Sequence, residues 1–480
     1  MNPATKTFLK AIAAGLGVML TAFVAWIASF DSPVPPTPEP PIPTPPAIIL
    51  GKSGTASSNG TAAGNICPDL SKVNFFDRGN AWLAEFARPI IADPIDADSA
   101  KIIGDWKAYG DPKIHVDFSA TGKGTTSNGR YGIPINVASS SKTPEVTPEW
   151  YYKDESDNVP YPILIDGSWE GLSPGADVSV KPDGDQHQLI LSVDEATGEI
   201  VKLSETYKTW LDKSDPRGPT WKGGSGAVFD FRQGAKLPRQ ADWTSCDAAG
   251  LFILPLLLRY DEVASGEIKH CLRATFPAGV CKSKYVWPAR HAASGWGLLC
   301  FGARVRLTSE WYDANKGKFS GQARVILEAM RNYGIINSDI TGGGLAYGPF
   351  LGGITDDRWE PESLAALQTI PISAFEVVKQ HPCYTIDGPT TGNPGEVLTF
   401  TVAKYPPTDR NYSGNVYPAS NGKSETEINV AAVNLTDSAT KQSRSGTFKF
   451  MSKVAGTFVI SSNHGQQVWL EPSPITVVIK

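Results

Sequence analysis

Residues 241–276 read ADWTSCDAAGLFILPLLLRYDEVASGEIKHCLRATF, and the fold turns on what the apolar run Leu251–Leu258 does. Eight residues are too few to span a bilayer, and Pro255 interrupts the run. Polar groups crowd both ends: Ser245, Cys246 and Asp247 before it, then Arg259, Tyr260, Asp261, Glu262, His270 and Arg273. The run therefore reads as buried chain that crosses a core and delivers polar groups to one region. "YDEVASGE" reads as one short helical turn, and "IKHCLRATF" alternates as a strand. Strict alternation places His270 with Leu272, Ala274 and Phe276 and puts Arg273 on the opposite face.

Upstream, "KIHVDF", "YGIPINVA", "YPILIDG", "HQLILSVD", "EIVKLSETY" and "GAVFDF" read as short strands between turn signals, with a hairpin at "DEATGE". Downstream, Phe319 to Ile336 reads as a helix. Ala323, Ile326, Leu327 and Met330 fall on one face, with Ser320 as cap and Gly334 as terminator. A second helix is expected from Pro361, with Leu364 and Leu367 inward. Residues 384–480 alternate again in "GEVLTFTVA", "SGTFKFMSK", "GTFVISS" and "PITVVIK", and resemble the immunoglobulin-like modules of bacterial surface proteins. The expected fold is mainly β. It consists of a sandwich or jelly-roll-like body with a few helices over 67–383, followed by an immunoglobulin-like sandwich over 384–480.

The chain has 480 residues, 46 Gly, 38 Pro, 13 Trp and a net charge of -5, with Lys and Arg dispersed. That composition suits a turn-rich β protein and argues against a nucleic-acid partner. Lys6 and Lys10 precede a 20-residue uncharged run ending at Phe30, long enough for a membrane anchor, with a cleaved signal peptide as the rival. Nine prolines between Pro33 and Pro46 form a semi-rigid stalk, and a flexible linker follows. Residues 1–31 are thus expected to be the anchor or signal and 32–66 the stalk and linker. The body is expected at the cell envelope or surface, anchored in the membrane or secreted.

Three constellations carry chemistry. His115 and Asp117 in "HVD", and Asp185 and His187 in "DQH", each pair an imidazole with a carboxylate at strand spacing. They suit acid–base chemistry, and together they could hold a divalent metal, although no cofactor is required. The third is the opening stretch with its continuation "YVWPARHAAS", which adds Trp287, Arg290 and His291. Rings beside His, Arg, Tyr and carboxylates suit a polysaccharide. A glycosidase needs two carboxylates, which Asp247, Asp261, Glu262 or Glu267 could supply. A lyase needs an imidazole or phenolate base and a cation. The catalytic candidates are His115, Asp185, His187, Asp247, Tyr260, His270 and His291, with Arg273, Trp287 and Arg290 binding substrate. "GGSGA" lacks the spacing of a serine nucleophile elbow.

"IHVDF", "YGIPINV", "GDQHQLIL", "GSGAVFDF", "WTSCDAAGLFILPLLLRYDEVASGEIKHCLRATF", "YVWPARHAAS", "GARVRL" and "ARVILEAMRNYGII" together resemble a group of secreted bacterial proteins over roughly residues 80–380. The resemblance implies an exported β-rich domain and transfers no reaction. The chain departs from that group at Gln186, where Arg is usual, and at Cys246 and Cys271, where Ala is usual. Two coupled replacements flanking the buried run imply a Cys246–Cys271 disulfide, with Cys281–Cys300 and Cys67–Cys383 following. The expected function is an exported protein acting on extracellular polysaccharide as lyase or glycosidase. A non-catalytic glycan-binding or structural surface protein is the alternative.

Overall fold

The computed structural model describes residues 68–77, 80–116, 118, 132–172, 176–232, 239–240, 242–341 and 344–382 of the body. Beyond the body it describes 384–404, 415–419, 428–431, 433–434, 446–452, 455–462, 470–471 and 475–480. These belong to the compact unit Thr44–Lys480; the other unit, Met1–Pro43, lies outside the described residues. The expected anchor, stalk and linker, together with Cys67, Asp117 and Cys383, also lie outside them. No described helix is long and apolar enough to cross a membrane.

The fold is mainly β. A six-stranded mixed sheet runs in the order His115–Val116, Phe350–Leu351, Leu272–Pro277, Ile335–Thr341, Arg304–Leu307 and Phe375–Val377. A four-stranded sheet has the order Ile135–Ser139, Gln188–Val193, Ile200–Tyr207 and Ser225–Asp230. The hairpin expected at "DEATGE" joins its two central strands, which pair antiparallel. Three short strands, Glu149–Trp150, Thr220–Gly223 and Trp210–Asp212, form a third sheet. Of "YPILIDG", only Tyr161 pairs, through an isolated bridge to Val146.

In the six-stranded sheet, Leu272, Ala274 and Phe276 share one face and are fully buried. Arg273 and Thr275 point the other way. His270 lies before the strand begins. The helix expected over 319–336 covers Gly321–Asn332, with Ala323, Ile326, Leu327 and Met330 buried. It stops earlier because Gly334 adopts φ +75 and Ile335 opens a central strand. The second helix, Pro361–Leu367, buries Leu364 and Leu367 as expected.

Every side chain from Leu251 to Leu258 is fully buried except for Pro255, which is also buried. The run forms a seam between the two larger sheets. On one side, Glu205 of the four-stranded sheet accepts the amides of Ile253 and Leu254 at 2.7 and 3.1 Å. On the other side, Leu258 N–H donates to the Gly352 carbonyl, and Ile354 N–H returns to the Leu258 carbonyl, both at 3.0 Å. Ala249 N–H donates to the Ser338 carbonyl at 2.8 Å. Gly250, at φ +67, sits where a Cβ would lie 2.5 Å from the Trp243 carbonyl, so this turn admits only glycine without rearrangement.

In the C-terminal segment the strands pair, among the described residues, only with one another. Two five-stranded sheets result, one holding Tyr384–Asp387, Leu398–Lys404 and Gly446–Ser452, the other Thr391–Gly392, Asn415–Ala419, Gly456–Ser462 and Ile475–Ile479. The first strand is split between the sheets, and its second piece pairs parallel with the last strand, an order that resembles immunoglobulin-like sandwiches.

The implied Cys246–Cys271 and Cys281–Cys300 bonds are corrected: all four are buried thiols outside any disulfide. The Cys246 sulfur faces the Ser225 carbonyl at 3.8 Å, while the Cys271 amide bonds to Phe86. Cys281 pairs with Leu299 and Cys300 with Lys282 in a parallel ribbon, so the two sulfurs leave from opposite faces. Burial pushes the Cys271 thiol up to about 11 and the Cys281 thiol up to about 12, which keeps them unreactive near neutrality. Alkylation of unreduced, denatured protein should label all four; a peptide pair linked through any two of them would contradict this assignment.

Glu205 generates a stability prediction. Burial, opposed by the Ile253 and Leu254 amides, pushes its carboxyl up to about 8. A raised folded-state value means that the native protein binds a proton that the unfolded chain has released. This contribution is present in full below the ordinary carboxylate range and is lost as pH rises through about 8. Glu205→Gln keeps an oxygen for the two amides, so it should flatten the decline in melting temperature between pH 5 and pH 9. An unaltered slope would contradict the assignment.

Candidate functional site

Arg273 and Asp247 form the site's foundation. Arg273 Nε and Nη2 donate to the two Asp247 oxygens at 2.7 and 2.5 Å, and Asp247 is completely buried. The register explains how Arg273 fits: Gly352 lies opposite it, and a Cβ there would stand 2.9 Å from Arg273 Nη1. Ser245 shapes the loop that presents Asp247, accepting the Asp247 amide at 2.9 Å and donating to the Leu251 carbonyl at 2.5 Å.

A β-bulge brings in Asp339. Along Ile335–Thr341 the register passes from Asn337 opposite Ala274 directly to Asp339 opposite Thr275, leaving Ser338 as the extra residue. Regular alternation would have put Asp339 on the core face with Asn337; the bulge turns it to the face of Arg273 and Thr275. There it is half-buried. Burial and the nearby Asp247 carboxylate push its carboxyl up to about 7, against the opposing pull of Arg273 and the Ile340 amide. Asp185 raises it further.

His187 enters from the four-stranded sheet's side. Its Nδ1 lies 2.5 Å from Glu170 Oε2, and its Nε2 lies 3.2 Å from the Cys246 carbonyl. Burial alone would lower its pKa, but Glu170 outweighs burial and the imidazole rises to about 9. Glu170 shifts the opposite way: burial would raise it, yet His187 holds it below the ordinary range. His187 is therefore an imidazolium at neutral pH, paired and buried. Asp185 stands two residues before it, exposed, and adds to its upward shift. The two share no strand, because Gln186 adopts φ +46 and anchors its own side chain on the Thr209 carbonyl at 2.9 Å. The Tyr207 ring packs 5.5 Å from the His187 ring, and the exposed Tyr152 lies close enough to affect its ionisation.

The structure thus gathers Asp185, His187, Asp247 and Arg273 with Glu170, Asp339 and Tyr207. The remaining candidates lie elsewhere. His270 is buried against Phe76, with Nε2 3.0 Å from Glu262 and Nδ1 2.8 Å from the Cys271 carbonyl, and Glu262 also binds Arg259. It holds the helical turn Tyr260–Ser265 to the following strand. Tyr260 packs edge-on against Trp359 with Arg358 over its ring at 4.1 Å. His291 Nδ1 lies 2.7 Å from the Ala248 carbonyl and its Nε2 3.4 Å from Glu155, on the loop behind Asp247. Arg290 is fully buried and donates to the Arg239 carbonyl at 3.0 Å; Trp287 is buried too. Neither side chain is presented to solvent as a substrate-binding group. His115 lies at the edge of the six-stranded sheet, stacked 4.4 Å from Phe350. Asp117 lies outside the described residues. Of the candidate metal ligands, His187 has both ring nitrogens engaged, Nδ1 by Glu170 and Nε2 by the Cys246 carbonyl. Among the described residues no group of His, Cys, Asp and Glu is arranged to hold an ion.

Sequence reasoning missed Glu170, Asp339, Glu205 and Tyr207. Glu205 and Tyr207 left one signal: they follow Leu203 at strand spacing and so share its face of Ile200–Tyr207. No protein-family model matches this chain, and no curated protein matches it in sequence.

Breaking the buried ion pair should be costly. Arg273→Met alone strands a buried carboxylate and should cost about 3–5 kcal/mol, while adding Asp247→Leu should recover much of that loss. Urea unfolding of the two single variants and the double variant checks this; strictly additive losses would show that the pair is not coupled.

Proposed function

We propose that the body hydrolyses a polysaccharide at the envelope or cell surface, with Asp339 as general acid and Asp185 as the opposing carboxylate. The observation that carries this reading is the bulge at Ser338, which turns Asp339 out of the core and onto the face shared with Arg273, near Asp185. A glycosidase needs one carboxyl that keeps its proton near neutral pH and a second that faces the attacking water. Asp339 would protonate the leaving glycosidic oxygen as the C–O bond breaks, and Asp185 would take the proton of the incoming water. Asp247, Arg273, Glu170 and His187 position these two and set their field. The tyrosines 207, 152 and 151 supply aromatic surface beside the dyad, with Tyr151 and Tyr152 exposed.

Elimination is less well served. A lyase needs a free cation for the uronate carboxylate, but Arg273 is bidentate to Asp247. It also needs a base, but His187 is held as an imidazolium. The second reading, a glycan-binding or structural surface protein, is favoured by the mutual satisfaction of the Asp247–Arg273 and Glu170–His187 pairs. Export rests on the charged residues and the uncharged run that precede the proline stalk.

The experiment is reducing-end release from a panel of neutral and acidic polysaccharides. Asp339→Asn should lower kcat by about 10²-fold or more without lowering the melting temperature, since Asn removes the cost of ionising a raised carboxyl. Because the acid must carry its proton, wild-type kcat/KM should fall as pH rises through about 7. Full activity in Asp339→Asn would remove the general acid, and polymer retention without cleavage by the wild type would favour the binding protein.

A further inference from the structure

We infer that the same site continues into a second sugar-binding subsite on the six-stranded sheet, built from His115, Phe350 and Tyr347, which holds the polysaccharide chain leading away from Asp339. This inference rests on the hydrolase reading for the identity of the chain, but its geometry stands apart from the chemistry.

The register is the first observation. His115 pairs with Phe350, Phe350 with Thr275, and Thr275 with Asp339, so these four residues form one row across four strands. Partnered residues project from the same face, and the row spans about 14 Å at ordinary inter-strand spacing. The second observation is exposure. Their neighbours on the core face, Val116, Leu351 and Ala274, are buried, but all four row members are half-buried. The row is therefore a solvent-reachable strip that begins at the acid and ends at an imidazole.

Aromatic groups occupy the far end of this strip. The His115 ring lies 4.4 Å from Phe350 at 29°, and Tyr347 lies 6.1 Å from Phe350. Tyr347 is 51% exposed, although its backbone is fixed: its carbonyl accepts the Trp106 indole N–H at 2.9 Å. Gly348 permits this placement, since a Cβ there would stand 2.0 Å from the Lys113 carbonyl just before His115. An exposed ring on a rigid backbone loses little entropy on binding and offers a flat apolar face to the C–H face of a pyranose. His115 adds a polar edge for sugar hydroxyls. A protein segment would be a poorer occupant, because the row meets the carboxyls of Asp339 and Asp185 at its other end rather than an apolar groove.

The test uses the full chain in affinity gel electrophoresis through hydroxyethylcellulose, xylan, polygalacturonate and hyaluronan, beside cleavage assays on the same polymers. The wild type should be retarded in at least one gel. Tyr347→Ala should weaken that retardation about tenfold and raise KM, whereas Tyr347→Phe, which keeps the ring, should retain it. Melting temperature should move little in either variant, because half of the side chain is exposed and its backbone is held by the Trp106 indole. Retardation unaffected by Tyr347→Ala and by Phe350→Leu overturns the subsite even where cleavage is seen. Retardation that depends on Tyr347 without any cleavage leaves the subsite standing and overturns the hydrolase reading. A wild type retarded in no gel and cleaving nothing overturns both.

Discussion

The buried ion pair between Arg273 and Asp247 is the constraint on which the rest depends. Removing two charges from water is expensive, and the cost is offset only by bidentate geometry and complete hydrogen bonding. That requirement reaches far along the chain. It demands glycine at position 352, where the guanidinium stem crosses the neighbouring strand. It demands the Ser245 turn that holds Asp247 in place. Through Asp247 it fixes the start of the apolar seam, whose later residues are tied to the four-stranded sheet by Glu205 and to the six-stranded sheet by Gly352. The ion pair therefore ties the six-stranded sheet to the start of this segment, and Glu205 ties the segment to the four-stranded sheet.

The same pair sets the electrostatics of the site. Asp247 and Arg273 pull Asp339 in opposite directions, and burial adds to the upward side. Behind them, Glu170 and His187 complete their charges against each other. Two kinds of carboxylate result. Asp247 and Glu170 are spent on permanent partners, while Asp339 and Asp185 face outward, Asp339 with its proton affinity near neutrality. This division leaves two outward carboxyls above a rigid, mutually paired polar core.

Much of this was legible in the sequence, for physical reasons. An eight-residue apolar run with polar flanks has few places to go except through a core, and Asp247 and Arg273 followed from its two ends. The pair Asp185 and His187 stood out by chemistry, although the strand argument for it was wrong: a left-handed Gln186 brings them to one region instead. Asp339 was hidden because its position depends on a bulge, and because the helical pattern before it concealed the start of a strand at Ile335. Glu170 sits in irregular chain, where periodicity has nothing to report. His270 was misread because alternation showed which way it points and not that Glu262, eight residues earlier, would satisfy it. The cysteines were misread because replacements in two neighbouring segments do not place two sulfurs face to face.

The central claim is that the Ser338 bulge delivers a carboxyl to the Asp247–Arg273 pair and raises its proton affinity. The most direct measurement is a carbon-13 NMR titration of the aspartate side-chain carboxyls in the intact protein, compared with Asp339→Asn. The account predicts one aspartate resonance titrating near pH 7 that disappears in the variant. An Asp339 resonance that titrates in the ordinary range near pH 4 would contradict it.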